Sequence, residues 1–250
     1  MQQKKLLVIS AHAVDFVWRA GGTIANYTSA GCPCKIIDLS VGARGESETV
    51  WKKNPGITEE EVAKIRTEEA KACAGILGCE IDFYGLQDHL LVIDHETIMR
   101  LASDIRDFNP DIVLTHSSYD AFNPDHDAAH VATLAALRQA NVTGTFPDRP
   151  PTKQVEIFTF EPDQPMVCNF VPNTFIDVTP SWELKVKAMK VVPSQAFMCG
   201  SYGMRTENYG TIVSRYGQGS VKHGTAASEG IKYAEPFVRI TPWVSRFFNE

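Results

Sequence analysis

Near the start of the chain, residues 5–10 (KLLVIS) form a short, almost wholly apolar run without polar alternation. Such a run is what a strand buried on both faces requires. Residues 15–29 then have helical composition and stop before Gly31, and residues 35–40 (KIIDLS) predict a second strand. Residues 41–56 are polar, contain glycine and exceed a minimal connection, which points to an active-site loop. Thr58, with Glu61 three positions on, forms a capping box for a helix that runs to Leu77 and is stopped by Gly78. A third strand is predicted at 81–84, a helix at 94–108 ended by Asn109-Pro110, a fourth strand at 111–115 (DIVLT) and a helix at 124–139. Strands alternating with helices give βαβ units, hence an α/β fold with a mostly parallel sheet covered on both faces.

The pattern breaks at 142–151 (VTGTFPDRPP), a surface connection. Beyond it a strand at 154–160 and a helix at 181–191 are predicted, the latter carrying Lys185, Lys187 and Lys190. Residues 200–230 are rich in Gly, Tyr and Ser with little periodicity, so an irregular C-terminal extension is expected, serving as a lid or a subunit contact. The length fits one domain over 1–250, with a core over 1–141 and a part over 152–250 that completes sheet and site.

Composition narrows the classes. With 44% hydrophobic and 22% charged residues, the chain is neither disordered, collagenous nor a disulfide scaffold. A net charge of −6 leaves no general electrostatic case for nucleic acid or an anionic membrane. An anionic substrate must be met by a few placed Arg and Lys residues. Six cysteines are scattered with no C-x-x-C pair, so they are expected to be reduced thiols in a cytoplasmic protein. The apolar stretch at 6–9 is too short for a signal peptide, and no run approaches a membrane span. The aromatic segment 237–248 is a candidate surface for a homo-oligomer.

In open α/β sheets, ligands bind outside the carboxyl ends of the strands. Strand 1 runs into His12 and Asp15, strand 2 into Gly42-Ala43-Arg44-Gly45-Glu46, and strand 4 into His116, Asp120 and Asn123-Pro124-Asp125-His126. His12 and Asp15, three apart at a strand-to-helix turn, form with His126 a two-His, one-carboxylate set, the ligand count of a catalytic zinc site. Two other readings remain open on spacing alone. His12 and Asp15 would serve as a core histidine and a helix cap, or His126 and His130, at i and i+4, would offer a rival metal pair.

Ala11-His12-Ala13-Val14-Asp15-Phe16, followed by Gly21-Gly22-Thr23-Ile24-Ala25, resembles the A-H-P-D-D-E…G-G-T-[IL]-A signature of the LmbE-like, or PIG-L, deacetylase family. Gly45-Glu46, Arg66 with Glu69, Leu77-Gly78, Asp88, Pro124-Asp125-His126, Ser194-Gln195 and Tyr233-Ala234-Glu235-Pro236-Phe237 follow in the family's order. The resemblance implies a Rossmann-like fold, zinc as cofactor, and His12, Asp15 and His126 as its ligands, leaving His130 structural.

The departures redirect the chemistry. The family's general-base Asp is Val14 here, its neighbouring Glu is Phe16, and the first His of its H-P-D-H is Asn123. Valine transfers no proton. The variant motif H-A-V-D-F-V-W-R-A-G-G, with G-A-R-G-E, resembles the 4-oxalomesaconate hydratase branch of the superfamily. That resemblance implies addition of water to a carbon–carbon double bond of a small polycarboxylate in aromatic catabolism; the alternative is an N-acetyl-sugar deacetylase. Glu46 is the candidate for the displaced base, with Glu48 next, and Asn123 for orienting water or a substrate oxygen. For the substrate carboxylates the candidates are Arg44 first, then Arg19 and Arg205, with Arg215 and Lys222 further possibilities. His89 and His223 are candidates for substrate contact and proton donation.

Overall fold

The computed structural model describes residues 3–216, 230–242 and 244. Strands β1 (Leu6–Ser10), β2 (Cys34–Ser40), β3 (Glu80–Leu86), β4 (Ile112–Thr115), β5 (Glu156–Phe160), β6 (Thr174–Asp177) and β7 (Ala234–Arg239) form one sheet in the order β3-β2-β1-β4-β5-β7-β6. The first five are mutually parallel, and β7 runs antiparallel between β5 and β6. The order reverses between β1 and β4, so their carboxyl ends open a crevice, the position at which such sheets bind ligands.

Period-two alternation sends Leu6 and Val8 to one face of the sheet and Leu7 and Ile9 to the other. Helices α1 (Asp15–Ser29), α3 (Glu59–Leu77), α6 (Trp182–Lys190) and α7 (Met198–Tyr216) cover the first face; α4 (His95–Phe108) and α5 (Pro124–Asn141) cover the second. The short α2 (Glu48–Lys53) lies within the stretch read as a loop. The predicted stops hold. Thr58 and Glu61 form a reciprocal capping box, and Gly78 (φ 73) and Asn109 (φ 48) end α3 and α4 in the left-handed conformation.

The paired glycines of α1 have a packing cause. A Cβ on Gly22 would lie 2.6 Å from Cβ of Val178. At the same point the Glu235 carboxylate accepts from the Gly22 and Thr23 amides at 2.8 and 2.7 Å, and is itself paired with the buried Lys185 at 2.6 Å. The C-terminal strand is thereby bolted to the helix that begins at Asp15.

Three expectations are corrected. Residues 198–216 of the supposedly irregular extension are helical. Gly210 there is no loop marker, because a Cβ at that position would overlap the Lys232 backbone carbonyl. Strands β6 and β7 were not signalled, the latter because Pro236 argues against a strand interior. Phe237 is 1% exposed in the core and so belongs to no assembly surface, whereas Ile240 and Val244 are 40% and 88% exposed; residues 243 and 245–248 lie outside the described residues.

Candidate active site

The turn from β1 to α1 builds half of the site. Val14 adopts φ 72 with its side chain fully buried, a left-handed backbone conformation that costs a β-branched residue about 1–3 kcal/mol. That turn carries His12 and Asp15 to the same side, and Asp15 Oδ2 accepts the His12 amide at 3.0 Å. Val14 and Phe16, where the deacetylase motif has acids, point into the hydrophobic core. The amino end of α5 supplies the other half, with Asn123 at the cap, Pro124 in the first turn, and then Asp125 and His126.

His12 Nδ1 and His126 Nε2 stand 3.3 and 3.6 Å from Asp15 Oδ2. One donor atom from each of the three residues lies within 4.8 Å of the others. Both imidazole nitrogens are buried without a hydrogen-bond partner, whereas the opposite nitrogens are committed: His12 Nε2 to Asp125 at 3.0 Å and His126 Nδ1 to Asp120 at 2.9 Å. A carboxylate behind each histidine and a free nitrogen in front is the arrangement that fixes tautomers for a metal. Two nitrogens and one carboxylate leave a coordination position open, so the residues present fit a catalytic divalent cation.

Electrostatics agree. Burial disfavours a charged His12, but Asp125, Asp15 and Glu46 outweigh it and hold its pKa well above the ordinary imidazole value. Burial likewise opposes protonation of His126, and Asp15 with Asp120 raises its pKa nonetheless. Asp15 is held down, against its own burial, by His126 and His12. Burial and the neighbouring His126 push His116 down; the neutral ring stacks on His126 at 4.0 Å and its Nε2 accepts the Ala11 amide at 2.9 Å. A second grouping, Asp120, His126 and Asp163, is already satisfied internally: Asp120 Oδ2 takes His126 and the Asp163 amide, and Asp163 takes Arg19.

Glu46 arrives from the β2–α2 loop, its Oε1 3.9 Å from His12 Nδ1. Asn123 Nδ2 donates to Oε1 at 3.0 Å and Gln195 Nε2 to Oε2 at 2.9 Å. Gly42 (φ 68) permits this approach, since a Cβ there would lie 2.8 Å from Glu46 Cβ and 3.3 Å from His12 Cβ. Asp88 secures the same loop by accepting the Arg44 and Gly45 amides.

Other expected residues fall differently. Arg44 is 43% exposed and pairs with Glu59 at 2.9 Å, so its guanidinium is engaged outside the cluster. Arg19 is buried behind Asp15, with Nε 3.7 Å from Asp15 Oδ1, and donates to the Glu161 carbonyl and to Asp163. Arg205 meets the same segment, at the Glu161 carboxylate and the Asp163 carbonyl. His89 is exposed at φ 63, its amide donating to Asp125, and Arg215 is exposed near the end of α7. His130 donates to the His116 carbonyl at 2.8 Å and stands outside the ligand cluster. His223 and Lys222 lie outside the described residues.

Sequence reasoning passed over the carboxylates behind the ligands. Asp125 accepts four donors: His12 Nε2 and the amides of His89, Leu90 and Leu91. Its adjacency to His126 was the available signal. Gln195, 149 positions from Glu46, gave no local signal of its partner.

A switch-point crevice carrying a two-His, one-Asp cluster fits the class of metal-dependent enzymes built on an open α/β sheet. Residues 7–137 match the family PIG-L, GlcNAc-PI de-N-acetylase, and the chain belongs to that family. It is 36% identical over 244 residues to the 4-oxalmesaconate hydratase of Pseudomonas putida, covering 97% of this chain and 92% of that one. The crystal structure of the 4-carboxy-2-hydroxymuconate hydratase of that species matches with a TM-score of 0.92 at 34% identity, covering 98% and 99% of the two chains. The diacetylchitobiose deacetylase of Thermococcus kodakarensis is 27% identical over 96% of this chain and 87% of its own. Among the described residues no helix is long and apolar enough to cross a membrane.

Proposed function

We propose that this protein is a zinc-dependent hydratase that adds water to a carbon–carbon double bond of 4-oxalomesaconate, equivalently 4-carboxy-2-hydroxymuconate. One observation carries the reading: Glu46 stands beside the ligand set while the place of the deacetylase base is filled by the buried, apolar Val14. Near full-length likeness to the Pseudomonas putida hydratase supports it.

His12, Asp15 and His126 would hold zinc, which supplies a water acidified toward pKa ~7 and positive charge for a substrate oxygen. Glu46 accepts one proton from water as its oxygen bonds to the electrophilic carbon, and the π electrons move onto the conjugated carbonyl. A proton delivered to the adjacent carbon completes the addition, so the net change is one H and one OH across the double bond. Asn123, bonded to Glu46, holds the carboxylate on the side of the imidazoles. His89, exposed beside Gly45, is the candidate acid and substrate contact, while Arg19 and Arg205, paired with Asp163 and Glu161, are further candidates for meeting a substrate carboxylate. Six unpaired thiols suit a reducing cytoplasm.

The test is loss of the conjugated absorbance of 4-oxalomesaconate with zinc-loaded protein, beside a Glu46→Gln variant. Turnover by the parent and a fall of about 10²–10⁴-fold in kcat for the variant are expected. Equal rates would remove Glu46 from the reaction. No turnover by the parent, with acetate released from N-acetylglucosamine conjugates, would return the protein to the deacetylases.

A further inference from the structure

A side-chain amide can offer a neighbour either its oxygen or its NH2 group, and at Gln195 the choice is forced. Its Oε1 accepts Trp18 Nε1 at 3.1 Å and Arg66 Nη1 at 3.3 Å. Indole and guanidinium only donate, so a reversed amide would leave both buried donors facing an NH2 group. Gln195 is 4% exposed and Arg66 fully buried, so no water stands ready to compensate. The NH2 end must therefore face Glu46 Oε2, where it donates at 2.9 Å.

The same guanidinium indexes the rest of the site. Arg66 Nη2 donates to the Ala13 carbonyl, in the turn bearing His12 and Asp15, at 2.6 Å. Arg66 Nε donates to the Val41 carbonyl, at the root of the Glu46 loop, at 3.2 Å. Its remaining contacts, Glu69 and Ser194, tie it to the residue preceding Gln195. One buried cation thus registers the metal-ligand turn, the base loop and the amide that holds the base.

We propose that Gln195 is the positioning residue for the Glu46 carboxylate: by donating to Oε2, it leaves Glu46 one orientation toward the water to be deprotonated. The proposal rests on Glu46 being the base. Gln195 meets the base rather than the substrate, so its loss lowers kcat and leaves KM alone.

The experiment is a double-mutant cycle on the zinc-loaded, full-length protein, reading kcat, KM, metal content and melting midpoint. Gln195→Ala is expected to lower kcat about 10–100-fold, the scale of a base displaced by about 1 Å, with KM within threefold and metal retained. In a Glu46→Gln background the same substitution should change the residual rate less than twofold, because its effect runs only through the base. Gln195→Glu guards against a folding defect. It keeps the shape and the two accepted bonds but sets a second carboxyl against Glu46, so that a proton shared between them blocks the base and a comparable kcat loss is expected at neutral pH. Parental kcat in either variant, or an equal fold-loss with and without Glu46, overturns the positioning role. A Glu46→Gln protein that turns over like the parent instead overturns the base, and the proposal falls with it.

Discussion

Asp125→Asn isolates the support behind His12, the first candidate metal ligand. In the parent, Asp125 Oδ2 accepts His12 Nε2 at 3.0 Å and the His89 amide at 2.7 Å, while Oδ1 accepts the Leu90 and Leu91 amides at 3.0 and 2.7 Å. Asparagine has one oxygen, so either orientation turns an NH2 group toward two donors. The amide keeps His12 if its nitrogen faces Leu90 and Leu91, and then two bonds to a charged acceptor vanish, at about 1.5–3 kcal/mol each. Leu90 is 74% exposed and water replaces its partner, which brings the expected loss to about 2–3 kcal/mol. The assay is urea unfolding of metal-free parent and variant across pH. His12 and the amides of Leu91 and His89 hold the Asp125 carboxyl below its ordinary range despite burial, so its contribution is present above the unfolded value near ~4 and disappears as pH falls through the folded one. His12 has the opposite sign: its raised pKa contributes fully below ~6.5 and is lost as pH climbs through the folded value. The gap between the two proteins should therefore be widest near pH 6, shrink below about pH 4 and narrow partly in alkali. Equal stability at pH 6, or a gap that widens into acid, would refute this account of His12.

Because His12 and His126 both have raised pKa values without metal, zinc binding at pH 7 should release between one and two protons, read by titration calorimetry in buffers of different ionisation enthalpy; zero release would contradict the ligand assignment. Asp38 is fully buried with neither oxygen in a hydrogen bond of good geometry, and burial followed by the charge of Asp15 pushes its pKa well up. A raised carboxyl destabilises progressively as pH rises above the unfolded value, so Asp38→Asn should raise the melting midpoint of metal-free protein by roughly 2–4 °C per kcal/mol at pH 7, with little effect near pH 4. A lower midpoint at pH 7 would show that the charged form is held by its surroundings. Gly42→Ala combines a left-handed φ of 68 with overlap at Glu46 Cβ, and should lower kcat at least tenfold while zinc content stays unchanged; parental kcat would show that the loop has another route over the site.

Much of the sheet was legible because apolar runs such as residues 6–9 have few alternatives, and because Thr58, Gly78 and Asn109 punctuate their helices by local chemistry. The candidate cluster was legible in part for a related reason: strand-end position and short spacing make His12 and Asp15 neighbours before any tertiary contact forms, while the preference for His126 over His130 came from the family resemblance. What escaped was long-range. Nothing near Gly210 announces that the Lys232 backbone will press on it, and nothing near Arg44 announces Glu59 as its partner. Arg44 carried the substrate expectation because a guanidinium suits carboxylates; in the structure it pairs with Glu59 at 2.9 Å. Glu46 was placed beside the cluster by the Gly-flanked loop, but its two amide donors come from the cap of α5 and from the turn before α7, elements whose approach only packing decides.

On this reading the cluster hydrates a conjugated acid rather than cleaving an amide. The most direct measurement gives one zinc-loaded preparation both substrates in parallel, 4-oxalomesaconate followed by absorbance and N-acetylglucosamine conjugates followed by acetate. Rapid bleaching with no acetate above the protein-free control is the outcome this site predicts. Acetate without bleaching would contradict it.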